Sequence, residues 1–170
     1  MTAEAKARLR IEMKARRRNL AIDRGGVAAE EAARHFMFAL MAVDPGRGAT
    51  IAVYWPLADE LDSLPLVDQL EIEGFRLALP VVAAAGEPLQ FRAWVPGEAL
   101  IDGAHGVRTP RDDAPLVRPR LGVTPLLAFD DACMRLGFGG GYYDRTLAAL
   151  RADGQGPVTA LGLAYHEQHV

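Results

Sequence analysis

Short apolar runs separated by stretches of helical spacing constrain this chain most. "ATIAVYW" (49–55) has the β-branched and aromatic pattern of a buried strand and ends at Pro56. "RLALPVV" (76–82), "LGVTPLLAF" (121–129) and "VTALGLAY" (158–165) read as further strands, and "LQFRAW" (89–94) alternates as an antiparallel or edge strand would. Between them, "SLPLVDQLEIEG" (63–74) predicts a helix with Ser63 as N-cap and Gly74 as its stop, and "YYDRTLAALRA" opens another. Two helices are expected first: 3–20, with Leu9, Met13 and Leu20 on one side, and 27–43 after "DRGG". Residues 96–120, rich in Pro, Gly and charge, are expected to form a long functional or mobile loop. Strands alternating with helices predict an α/β layered domain, a largely parallel sheet flanked by helices.

With 170 residues, half of them hydrophobic, one domain over 1–170 is expected, with a sizeable core. The single cysteine, Cys133, excludes an internal disulfide and a cysteine cluster for zinc; its expected place is the core. The N-terminal "MTAEAKARLRIEMKARRRNL" carries charge throughout, unlike a signal peptide, and no run of about 18 apolar residues predicts a membrane span. The expectation is a cytoplasmic protein with no membrane partner. A net charge of −3 argues against general nucleic-acid affinity, yet residues 1–24 hold eight Lys/Arg against three Asp/Glu. Both lysines of the chain, Lys6 and Lys14, lie there.

"RLGFGGGYYDR" (135–145) places Gly137, Gly139, Gly140 and Gly141 between two arginines, beside Tyr142 and Tyr143. Four glycines in five positions are costly in entropy, and the usual compensation is a close approach to bare backbone. Strand, glycine loop, helix is a geometry that offers free N–H groups and a positive helix end to an anion. Neither G-x-x-x-x-G-K-[ST] nor G-x-G-x-x-G is present, so a Walker loop and a dinucleotide fold are disfavoured. A tight turn with the tyrosines in the core is the plain alternative. Lys6, Arg10 and Lys14, spaced i, i+4, i+8, stack on one helix face. Such a stripe is commonly just solvated, but over a polyphosphate its mutual repulsion would be offset. Asp144, just inside the helix, could hold a hydrated Mg²⁺ against phosphate oxygens. In "YWPLADEL" (54–61), beyond the carboxyl end of the first strand, Glu60 could accept hydrogen bonds from an amine-rich ring and Trp55 could pack on it. By spacing alone Glu60 reads as a solvated carboxylate.

These pieces in this order resemble the 5-formyltetrahydrofolate cyclo-ligase family, also called methenyltetrahydrofolate synthetase. The likeness runs through Lys6-x-x-x-Arg10, "IAVYWPLADEL", "RLALPVV", "GVRTP", "PLLAFD" and above all "RLGFGGGYYDRTL". It implies an α/β fold of the ribose-phosphate-isomerase and CoA-transferase type. It further implies ATP- and Mg²⁺-dependent closure of 5-formyltetrahydrofolate to 5,10-methenyltetrahydrofolate, releasing ADP and phosphate. The partners implied are the folate and ATP alone, with no nucleic acid, and a monomer is expected. Carried over position by position, Lys6, Arg10 and Arg135 match catalytic, phosphate-binding positions. Arg135, Leu136, Gly137, Phe138, Gly139, Gly140, Gly141, Tyr142 and Tyr143 match the ATP loop. Phe138 to Tyr142 also border the folate, with Trp55 and Glu60 matching further folate contacts and Asp144 a magnesium ligand. Two departures stand out. Ala132-Cys133-Met134 replaces a glycine-containing turn, and a C-terminal tail with a second metal-binding aspartate is expected beyond Val170. A non-catalytic folate- or nucleotide-binding homologue is the alternative the second departure motivates, and a nucleic-acid arm at the basic helix is a third.

Overall fold

The computed structural model describes residues 1–170, and its charged N-terminal quarter is one helix rather than the expected two. Helix α1 runs Ala3–Val43, capped by Thr2, whose hydroxyl accepts from the Ala5 N–H, and ended by Asp44 in a left-handed conformation before Pro45. It passes straight through Gly25 and Gly26. Two helical glycines cost about 1 kcal/mol each relative to alanine, and continuous packing outweighs that. Met13 and Arg17 are buried before the glycines; Ala28, Ala29, Ala33, Phe36 and Leu40 continue the covered face after them.

The other elements are β1 (Thr50–Ala52), α2 (Leu64–Ile72), β2 (Arg76–Val81), β3 (Gln90–Trp94), β4 (Ile101–Asp102), β5 (Arg108–Thr109), β6 (Leu121–Pro125), β7 (Ala128–Phe129), β8 (Arg135–Leu136), α3 (Tyr142–Ala152) and β9 (Thr159–Leu163). The main sheet has the order β3-β2-β1-β6-β9. Its β2, β1, β6 and β9 are parallel, and β3 is the antiparallel edge that the alternation of 89–94 predicts. The chain leaves β1 toward β2 and β3, then returns to the other side for β6 and β9. The carboxyl ends of β1 and β6 therefore form the switch point where open α/β sheets bind ligands.

The core packs Ile51, Val53, Leu77, Leu79, Leu121 and Val123 of and beside the sheet against Phe36 and Leu40 of α1 and Leu66, Val67 and Leu70 of α2. A second cluster, Met13 with Leu127, Ala128 and Leu136, fastens the amino half of α1 to the β7–β8 hairpin. Several sequence expectations shift here. The run 121–129 breaks after Pro125, because the Leu126 and Leu127 carbonyls accept from the buried Gln168 amide at 2.8 and 3.0 Å rather than from a neighbouring strand. Residues 96–120 are not one structureless loop: β4 pairs with β5, and Arg92 bridges to Leu116. Ser63 does sit at the N-cap of α2, but its hydroxyl donates to the Tyr54 carbonyl at 2.6 Å and caps nothing. Gly74, with φ +78°, stops that helix as expected. Cys133 is exposed rather than buried, since the tight β7–β8 turn holds it at φ +57° and directs it outward.

Candidate active site

The switch-point crevice is built around an arginine. Arg17 on α1 is only 1% exposed. Its Nη2 donates to Asp59 Oδ1 at 3.0 Å and its Nη1 to the Leu126 carbonyl at 3.3 Å, with Glu60 Oε1 3.6 Å from Nη1. One side chain thereby ties the segment after β1 to the segment after β6. Glu60 is also buried, at 7% exposure, and its Oε2 accepts the Leu57 N–H at 3.0 Å. Burial raises the Glu60 pKa, while the Leu57 N–H and the Arg17 charge oppose that rise. The solvated reading of Glu60 is therefore corrected: this carboxylate is held in a built environment. Two phenols share it. Burial, and then the Glu60 charge, push both the Tyr54 and the Tyr143 hydroxyl well above the ordinary tyrosine range.

The glycine loop closes the crevice from the other side. Arg10 Nε donates to the Gly137 carbonyl at 2.9 Å, so the basic face of α1 meets the loop directly. Lys14 Nζ and the Arg17 guanidinium each lie 4.9 Å from the centre of the Phe138 ring. Gly139, at φ +105°, would bring a Cβ within 3.4 Å of the Arg10 guanidinium, and Gly141, at φ +66°, within 2.7 Å of Arg145 Nη1. At both positions a side chain would be strained and would fill the gap between helix and loop. Arg145 holds the loop from below, its Nη2 donating to the Gly140 carbonyl at 2.7 Å and its guanidinium 5.2 Å from the Tyr142 ring. The exposed Phe138, Gly139 and Gly140 leave the site an open crevice. A cavity of about 550 Å³ between α1 and β9, lined by His35, Phe36 and Tyr165 among others, contains none of the expected site residues.

The remaining candidates fall in and around this frame. Lys6 is exposed one turn beyond Arg10. Leu136 is 9% exposed within the Met13 cluster, so it offers a ligand only its backbone. Trp55 is half-buried and meets Trp94 edge to face, centroids 6.0 Å apart. Arg135 lies 5.9 Å from the Tyr143 ring and donates to Asp144 Oδ1 at 2.6 Å. Asp144 is 77% exposed. No group of three His, Cys, Asp or Glu side chains is placed to enclose a metal ion. A single open carboxylate in the first turn of α3 fits Mg²⁺ that arrives with phosphate oxygens and keeps its waters, not a resident ion caged by protein.

Sequence reasoning missed Arg17, Asp59 and His105. Arg17 had a signal: it continues the row Leu9, Met13 at i+4, where the next apolar residue belongs. His105, in a left-handed turn between β4 and β5, reaches Tyr142, its Nε2 3.3 Å from the phenol oxygen. Nothing local announced that contact.

Comparison with known proteins settles the kinship. The sequence model described as the 5-formyltetrahydrofolate cyclo-ligase family matches residues 2–170. The chain belongs to that family. The 5-formyltetrahydrofolate cyclo-ligase of Escherichia coli K12 is 42% identical over 104 residues, 58% of this chain and 57% of the relative, so the aligned stretch spans little more than half of that protein. The Haemophilus influenzae cyclo-ligase is 30% identical over 175 residues, covering all of this chain and 90% of its own. The NMR structure of Aquifex aeolicus 5,10-methenyltetrahydrofolate synthetase superposes with a TM-score of 0.71 at 28% identity, over 96% of this chain and 79% of that one. A synthetase from Mycoplasma pneumoniae shares the fold, with a TM-score of 0.68 at 23% identity over 97% and 88% of the two chains. The cyclo-ligase kinship accords with the α/β fold expected, a mostly parallel sheet flanked by helices. No helix of this family member is long and apolar enough to cross a membrane.

Proposed function

We propose that this chain closes 5-formyltetrahydrofolate to 5,10-methenyltetrahydrofolate at the expense of ATP, releasing ADP and phosphate. The observation that carries the reading is the meeting of α1 and the glycine loop: Arg10 bonds the Gly137 carbonyl at the switch point, with Lys6 and Lys14 one turn to either side. That arrangement supports a polyphosphate lying between cations and bare amides, with a flat ring between Trp55, Glu60 and Phe138.

In the proposed reaction the formyl oxygen attacks the γ-phosphorus and ADP leaves. N10 then attacks the activated formyl carbon, loses its proton, and phosphate departs with the former formyl oxygen. The protein's part is alignment and charge stabilisation. Lys6, Arg10 and Arg135 neutralise the transferred phosphoryl group, the glycines let the reacting atoms approach, and Glu60 accepts N–H bonds from the pterin. Mg²⁺, held by Asp144 together with phosphate oxygens, would neutralise further charge on the triphosphate.

Incubation of the protein with ATP, Mg²⁺ and 5-formyltetrahydrofolate should build up the methenyl absorbance; folded protein giving no rate above background would remove the proposal. The non-catalytic reading rests on Asp144, which belongs to no group of three His, Cys, Asp or Glu side chains and is paired to Arg135. Calorimetry showing folate binding without ATP binding would favour it.

A further inference from the structure

We propose that Arg17 is a positioning residue for the folate side of the site, fixing Glu60 and Phe138 relative to each other across the switch-point crevice. The proposal rests on the folate chemistry proposed above. The two groups it joins come from distant parts of the chain, Glu60 after β1 and Phe138 in the loop before α3. Arg17 is the side chain that reaches both, through the 3.6 Å contact to Glu60 Oε1 and the 4.9 Å approach to the Phe138 ring.

A guanidinium suits this task where an ammonium would not. Its planar fork spans the Leu126 carbonyl and Asp59 at once, and its face remains available to an aromatic ring. The buried fork leaves Nε without a protein partner, an arrangement that hydrophobic packing alone would not produce. Removing water from a charged arginine is costly, and its retention in a row begun by Leu9 and Met13 points to a role at the crevice.

The charged and titratable groups facing Glu60 are Arg17 from α1, the adjacent Asp59, Tyr54 after β1 and Tyr143 from α3. Arg17 is the cation among them. Replacing it by a neutral residue leaves burial and the Asp59 charge less opposed, so Glu60 protonates at higher pH and accepts pterin N–H groups less well in the acid range.

The test uses wild type, Arg17→Met, Arg17→Lys and Asp59→Asn, with both substrates varied across the acid-to-neutral range. Binding of 5-formyltetrahydrofolate without ATP is measured alongside by calorimetry. Arg17→Met should raise KM for the folate about tenfold, the scale of one lost charged hydrogen bond, leave KM for ATP little changed, and move the acid limb of kcat/KM for the folate toward neutrality. Arg17→Lys should restore the acid limb but not the KM, because an ammonium cannot span both anchors. In Glu60→Gln protein, adding Arg17→Met should leave no acid limb to move. Equal rises in both KM values, or a folate KM that rises with the acid limb unmoved, would reduce Arg17 to a structural role and overturn the inference. Should Arg17→Met not fold, Asp59→Asn decides: a folate-selective KM increase upholds the inference and unchanged kinetics end it. Wild-type turnover with unaltered variants sinks this inference alone, whereas absent wild-type turnover and absent folate binding sink the proposed function with it.

Discussion

Glu60 and Asp144 stand at different ends of the candidate site, and the surroundings of these two carboxylates are opposite. Glu60 is 7% exposed, bonded by a backbone N–H and flanked by a buried arginine. Asp144 is 77% exposed and shares one oxygen with Arg135. A buried carboxylate needs its partners in place before a ligand arrives, because desolvation is not recovered otherwise. An exposed one can exchange its partner for a metal ion or water at little cost. Under the proposed function, the difference would give one crevice two modes of binding: a folate wall built in advance, and a metal end completed by the nucleotide itself.

The largest effect expected from this contrast is on folate recognition. Glu60→Gln keeps the side chain's shape but replaces an acceptor oxygen by a donor, so it should cost about 2 kcal/mol of folate binding, the worth of a hydrogen bond to a charged group. Steady-state kinetics should show the folate KM rising some tens-fold with the ATP KM nearly constant. A variant that loses both substrates equally would break the division of the crevice into two ends.

Next in size comes the metal end. Asp144→Asn should move the midpoint of a Mg²⁺ titration of the rate upward several-fold, a cost of about 1 kcal/mol, as befits a solvent-exposed charge contact. Folate KM should stay where it is. A metal titration superposable on that of wild type would mean that Asp144 serves only to hold Arg135.

How far this contrast was visible in the sequence depends on how far apart the participating residues lie. The strands of the main sheet, the α3 start and the edge position of β3 were legible because each depends on a pattern within a few residues. The basic face was legible too, since Lys6, Arg10 and Lys14 share one helix and fixed spacing puts them together. The burial of Glu60 was not. It depends on Arg17, 43 positions earlier, and on Leu126, 66 positions later, meeting at strand ends that become neighbours only when β6 pairs with β1. The continuity of α1 was obscured for a related reason: Gly25 and Gly26 are a local stop signal, overruled by packing of Ala28, Ala29 and Ala33. The contact of His105 with Tyr142 likewise needs two loops to converge.

The smallest effect tests the same contrast through stability. The folded state raises the Glu60 pKa, burial being the largest cause and outweighing the Leu57 N–H and Arg17. Between the unfolded and folded values the native chain therefore binds more protons, and stability falls as pH rises through that window. Above that window the penalty is in place. Glu60→Gln removes it while Arg17 keeps its bond to Asp59, so above that window the variant that binds folate worst should melt higher than wild type. In acid, below the ordinary glutamate range, where wild-type Glu60 is neutral in both states, the gap should close. Asp144→Asn should move the melting temperature at neither pH, because the Asp144 side chain stands in solvent. A lower melting temperature for Glu60→Gln above that window would show that the Arg17–Glu60 pair stabilises the fold, and the folate wall would then be a structural ion pair that the ligand borrows.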